Sequence, residues 1–83
     1  VLLIDLHSYD DQLFQTSDII IGTRRKQTLS EELLEQLQTL FHEEGLSTRV
    51  DTPFSGGNII ATFGKQASIE AVQIEVPYSL QNE

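Results

Sequence analysis

Two short, wholly apolar runs set the tightest limit on what this chain can fold into. Val-Leu-Leu-Ile at residues 1–4 and Ile-Ile-Ile at residues 19–21 are each cut off by polar residues or glycine. Runs of this length are too short for buried helices and suit strands covered on both faces, as in sheets with parallel strands. A different period follows them. Leu29, Leu33, Leu34, Leu37, Leu40 and Phe41 recur at helical spacing and predict one amphipathic helix over residues 29–44. Thr28 with Glu31 matches a capping box, Ser30 is a competing cap, and Gly45 offers a left-handed stop. A one-sided helix of this kind covers a sheet.

Beyond the helix the pattern returns to strands. Residues 46–50 read as one, the turn-rich Asp51-Thr52-Pro53-Phe54-Ser55-Gly56-Gly57 follows, and residues 58–63 and 70–76 read as two more. In the last, Val72, Ile74 and Val76 face one side and Ala71, Gln73 and Glu75 the other. The order strand, strand, helix, strand, strand, strand predicts a single α/β domain over residues 1–83. Its sheet is expected to be mixed and partly parallel, with the helix on one face and the other face uncovered. A start inside an apolar run and the lack of any Met add to the expectation of a piece of a longer protein. A processed initiator Met before Val1 is the alternative.

Charge removes several functions. The 83 residues hold 13 Asp and Glu against 5 Lys and Arg, a net charge of -8. Binding nucleic acid by phosphate neutralisation needs clustered cations, and so does an anionic membrane surface. No apolar run approaches the roughly 20 residues of a membrane-spanning helix. A cytoplasmic setting is the default expectation, and the absence of Cys leaves no disulfide, thiol nucleophile or cysteine metal site.

The polar groups that can carry chemistry cluster where strands run out, which is where open α/β sheets bind ligands. Alternation places Asp5 and His7 on one side. A histidine there can ligate a metal while a carboxylate orients its other nitrogen, or it can be an ordinary hydrogen-bonded loop histidine. Glu75 stands alone on the polar side of an apolar strand, fit to act as a general base on water or simply to be solvated. The Gly56-Gly57 pair lets backbone N–H groups approach an anion, although a bare tight turn needs no function. Arg24, Arg25 and Lys26 form a cationic cluster able to receive a carboxylate, as is Arg49, or they merely offset the acidic helix start. His42 lacks a partner at the spacing of a helical zinc motif and is assigned to the surface.

Taken in order, Leu3-Ile4-Asp5-Leu6-His7-Ser8-Tyr9, Asp18-Ile19-Ile20-Ile21-Gly22-Thr23, Thr52-Pro53-Phe54-Ser55-Gly56-Gly57 and Ala71-Val72-Gln73-Ile74-Glu75-Val76 resemble the C-terminal half of the N-formylglutamate amidohydrolase family. That family is similar in fold to the zinc carboxypeptidases, whose own His-Ser-Tyr segment looks like residues 7–9. The resemblance implies a zinc-dependent hydrolase of a C–N amide bond in an N-formyl or N-acyl amino acid, or in a peptide-like substrate. It implies His7 as the last zinc ligand, Asp5 behind it, and Glu75 as the general base that returns the proton to the leaving nitrogen. Phe54, Ser55, Gly56 and Gly57 would line the substrate pocket, and Arg24 or Arg49 would hold a substrate carboxylate. The family's first zinc ligands belong to a motif that would precede Val1, so the isolated chain is expected to bind zinc weakly and to be inactive. Asp51 stands where the family pattern has Asn. The competing expectation is a non-catalytic acidic α/β interaction module that has kept the fold without the metal and docks to a partner through the uncovered sheet face or an open strand edge. The half-covered sheet of a fragment, by contrast, is expected to self-associate or pair with another chain.

Overall fold

The structure is a computed structural model that describes residues 1–66 and 68–81. Strand β1 (Leu2–Tyr9) leads through a one-turn helix α1 (Asp11–Phe14) to β2 (Ile19–Gly22). Helix α2 (Glu31–Glu43) connects β2 to β3 (Thr48–Val50), and the short α3 (Asn58–Phe63) precedes β4 (Glu70–Pro77) and α4 (Tyr78–Gln81). The sheet is ordered β1-β4-β2-β3. β1 runs parallel to β4 and β2 parallel to β3, whereas β2 and β4 are antiparallel. The mixed, partly parallel sheet read from the sequence is the one observed.

The two central strands explain the clearest sequence signal. Every residue of β2 is buried, and in β4 the run from Ala71 through Glu75 is buried. One face of the sheet packs Ile19, Ile21, Val72 and Ile74 against Leu29 and Leu34, with Leu33, Leu37 and Phe41 of α2 closing around them. The Ser30 side chain caps α2 by accepting from the Leu33 N–H. Thr28 does not cap it. Its hydroxyl is buried and donates to the Thr23 carbonyl instead. At the other end the Gly45 N–H donates to the His42 carbonyl and the Leu46 N–H to the Phe41 carbonyl, a Schellman closure with Gly45 at φ 78°.

Three expectations are corrected. Residues 58–63 are helix and not strand. Their β-branched content suggested a strand, but only Ile60 of α3 is buried, and one turn of helix suffices to plug it onto the sheet. Both edges of β4 are already occupied, by β1 and β2, so no central position was left for a further strand. Consequently the second face is partly covered, since α3 packs across β4 and β1. The third correction concerns β1, which does not stop at residue 4 and is not covered on both faces. It continues through Asp5 to Tyr9 because its backbone pairs residue for residue with β4. As an edge strand it leaves Leu2, Ile4 and Leu6 at 39%, 52% and 70% exposure. Leu6→Ser is therefore expected to change the unfolding free energy by under about 0.5 kcal/mol. Ile20→Ala, at a fully buried position of β2, is expected to cost about 2–5 kcal/mol, both read by urea unfolding.

Candidate functional site

Register builds the site. Across the sheet His7 pairs with Glu75, Glu75 with Ile20, and Ile20 with Arg49, so these four form one row. In the adjacent row Asp5 pairs with Gln73 and Gln73 with Gly22. Paired residues project from the same face, opposite to the α2 core, and neighbouring strands are about 4.8 Å apart. The residues do not gather at one rim where strands end, as the sequence suggested. Because β2 and β4 are antiparallel, the carboxyl ends of β1 and β4 point one way and those of β2 and β3 the other, and the site lies on the sheet face.

Within the rows the side chains are tied in pairs. His7 Nε2 lies 2.9 Å from Asp5 Oδ2, so an Nε2–H donating to the carboxylate leaves Nδ1 as the ring's lone pair. His7 is exposed, whereas Asp5 is half-buried. Glu75 is 5% exposed and accepts from Gln73 Nε2, while Gln73 Oε1 accepts from the Gly57 N–H at 2.8 Å. The turn that the sequence marked for substrate contact is thus wired to the glutamate through Gln73, a residue to which sequence reasoning assigned no role. Its signal was available: a polar residue two positions before Glu75 in a buried strand must find a partner.

The turn sits close because Gly22 lacks a side chain. A Cβ there would stand 3.0 Å from Gly56 N and from the Ser55 carbonyl carbon. Phe54 packs on Phe14 and Tyr9, with ring centroids 4.8 and 5.8 Å apart, and forms an aromatic wall at the end of β1. The Tyr9 hydroxyl donates to the Asp18 carbonyl at 2.6 Å, with the Thr16 carbonyl 3.1 Å away. Burial, followed by the charge of Asp18, holds the phenol above its ordinary pKa. The folded state therefore binds the Tyr9 proton more tightly. That contribution is complete below the unfolded value near 10 and is lost as pH rises through the folded one. Tyr9→Phe is expected to flatten the fall in stability above about pH 10, measured by urea unfolding.

Arg24, Arg25 and Lys26 adopt left-handed backbone in succession, with φ of 51°, 57° and 66°. Each such non-glycine residue costs about 1–2 kcal/mol. The strain is held by Asp51, whose carboxylate accepts from the Thr23 N–H and the Thr23 hydroxyl at 2.6 Å each, and by the Thr23 hydroxyl accepting from the Lys26 N–H. The unexpected Asp51 thus braces this loop. The Arg24 N–H donates to Ser55 O at 2.7 Å and its guanidinium to Gly56 O at 3.2 Å. With Arg25, Gln27 and Ser55 it lines a cavity of about 260 Å³. Lys26 pairs with Glu31 at the start of α2, which raises the ammonium pKa and lowers the carboxyl. Arg49 lies in the row of Glu75 but donates from Nε to Asp18 at 3.0 Å. Between the two arginines, Arg24 is the one that touches the turn. His42 is exposed on α2, beside Thr48.

Fold and site together define an α/β domain whose sheet face carries a His–Asp pair beside a buried glutamate. Residues 1–81 match the family model for N-formylglutamate amidohydrolase. Among solved structures, the chain resembles N-formylglutamate amidohydrolase from Ralstonia eutropha JMP134, with a TM-score of 0.86 and 23% sequence identity. The match covers 96% of this chain and 32% of that one, so the chain spans about a third of the length of its solved relative. Comparison with curated proteins gives no significant match. The chain belongs to the N-formylglutamate amidohydrolase family.

Proposed function

We propose that this chain supplies the general base and one metal ligand of a zinc-dependent amidohydrolase that cleaves the C–N amide bond of an N-formyl or N-acyl amino acid. The observation that carries the reading is the pairing of His7 with Glu75 on one sheet face, with Asp5 fixing the imidazole. A carboxylate behind a ligand histidine is the usual outer partner of a metal site, and Nδ1 is the nitrogen left to bind. A catalytic zinc needs three protein ligands. Among the described residues no three His, Asp or Glu side chains are gathered to hold a metal, so His7 fits as a single ligand and the others must come from elsewhere. When bound, the metal would polarise the substrate carbonyl and ease deprotonation of water.

The chain's own groups divide the remaining work. Glu75 takes the proton of the attacking water and passes it to the departing nitrogen. Phe54 and the Ser55-Gly56-Gly57 turn bound the pocket, and the Arg24 guanidinium receives a substrate carboxylate, with Arg49 held back by Asp18. A cytoplasmic setting is part of the same proposal. Among the described residues no helix is long and apolar enough to cross a membrane.

The test is zinc content together with turnover of N-formyl-L-glutamate by the full-length protein. One bound zinc and measurable turnover, both lost in His7→Ala, are the expected results. A full-length protein that binds no zinc sinks the proposal. A second reading, the non-catalytic module, is favoured by the exposed apolar residues of edge strand β1. It would show self-association through β1, abolished by Ile4→Lys, and no turnover.

A further inference from the structure

We propose that Gln73 is a positioning residue, setting the carboxylate of Glu75 and registering it to the Gly56-Gly57 turn; this deepens, and rests on, the reading of Glu75 as general base. Gln73 is 5% exposed, and both ends of its amide are engaged. Its orientation is forced. The Gly57 N–H needs an acceptor and the Glu75 carboxylate needs a donor, so the reversed amide would set like against like at both ends. With Gln73 Nε2 on Glu75 Oε2, the carboxylate has one defined rotamer, and Oε1 is the oxygen that Gln73 does not occupy.

The far end of the connection is equally fixed. The Gly57 N–H reaches Gln73, the Gly56 carbonyl accepts from Arg24, and the turn backbone rests directly on Gly22. Bonds therefore run without interruption from the Arg24 guanidinium through the turn and Gln73 to Glu75. A substrate carboxylate that draws on Arg24 and a water that draws on Glu75 are held at a set separation by this connection. General-base catalysis depends on such placement, because a misplacement of about 1 Å costs on the order of a hundredfold in rate. A buried glutamine that merely filled space would be replaceable by an apolar side chain of the same length.

Gln73→Met in the full-length protein separates the two cases, with N-formyl-L-glutamate as the probe substrate. The expected result is a kcat lower by about 10–100-fold with KM changed less than about threefold, since transition-state placement is lost and ground-state binding is largely kept. A kcat within about twofold of the unsubstituted protein overturns the proposal. A second measurement holds even if that variant folds poorly or if the protein turns over no amide, which would sink the function and not the connection. Glu75→Ala is expected to shift the backbone amide resonance of Gly57 when Gln73 is present. An unmoved Gly57 resonance in Glu75→Ala means that no coupling passes through Gln73.

Discussion

Glu75→Gln in the full-length protein is expected to lower kcat for amide hydrolysis by about 10²–10⁴-fold, the usual share of a general base. The expectation follows from how little the substitution changes apart from basicity. Glutamine has the same length, and its carbonyl oxygen can still accept from Gln73 Nε2, so the buried contact survives. Among the described residues, three carboxylates around the site are engaged by other partners. Asp5 is bound to His7, Asp51 to Thr23 and Asp18 to Arg49. The thermal midpoint should stay within a few degrees, a shift equivalent to about 1 kcal/mol or less. Turnover and melting measured on one preparation check both halves. Retained turnover removes Glu75 from the reaction, whereas lost turnover with a lowered midpoint assigns it a structural role.

What could be read from the sequence, and what could not, follows burial. The Ile19–Ile21 run was legible because β2 lies between β4 and β3 and is buried on both faces, which leaves no polar alternation to confuse the period. The α2 stripe was legible for the opposite reason, since one face alone is buried. α3 was not, because six residues hold too few turns to show a helical period and its exposed Ile59 and Phe63 mimic a strand. Strand position singled out His7 and Glu75 and the resemblance to the family suggested their roles, while alternation put Asp5 on the side of His7. The left-handed turn at Arg24, Arg25 and Lys26 had no sequence signal, because it contains neither Gly nor Asn. It exists because Asp51, distant in sequence, clamps Thr23. Gln73 was seen on the right face but its partners were not, since one of them, the Gly57 N–H, is a backbone group placed by a loop.

The second large effect is expected at Gly56, where two independent penalties meet. Its φ of 116° lies in a region that side chains rarely adopt, and a Cβ there would stand 2.2 Å from Ile60 Cδ1 and 2.9 Å from Ile60 Cγ1. Backbone strain of this kind costs about 1–3 kcal/mol, and forcing a methyl into a filled site costs about 1–3 kcal/mol more. Gly56→Ala is therefore expected to destabilise the protein by about 2–6 kcal/mol, measured by urea unfolding. Ile60→Ala separates the two penalties. Alone it empties a fully buried position and costs about 2–5 kcal/mol. Combined with Gly56→Ala it makes room for the new methyl but leaves φ unchanged. The double variant should then be less destabilised than the sum of the singles by about 1–3 kcal/mol, the steric part, and the remainder is the strain. Strict additivity would mean that the turn moves away from Ile60 instead. In that case the Gly57 N–H leaves Gln73, and the loss appears in kcat as well as in stability.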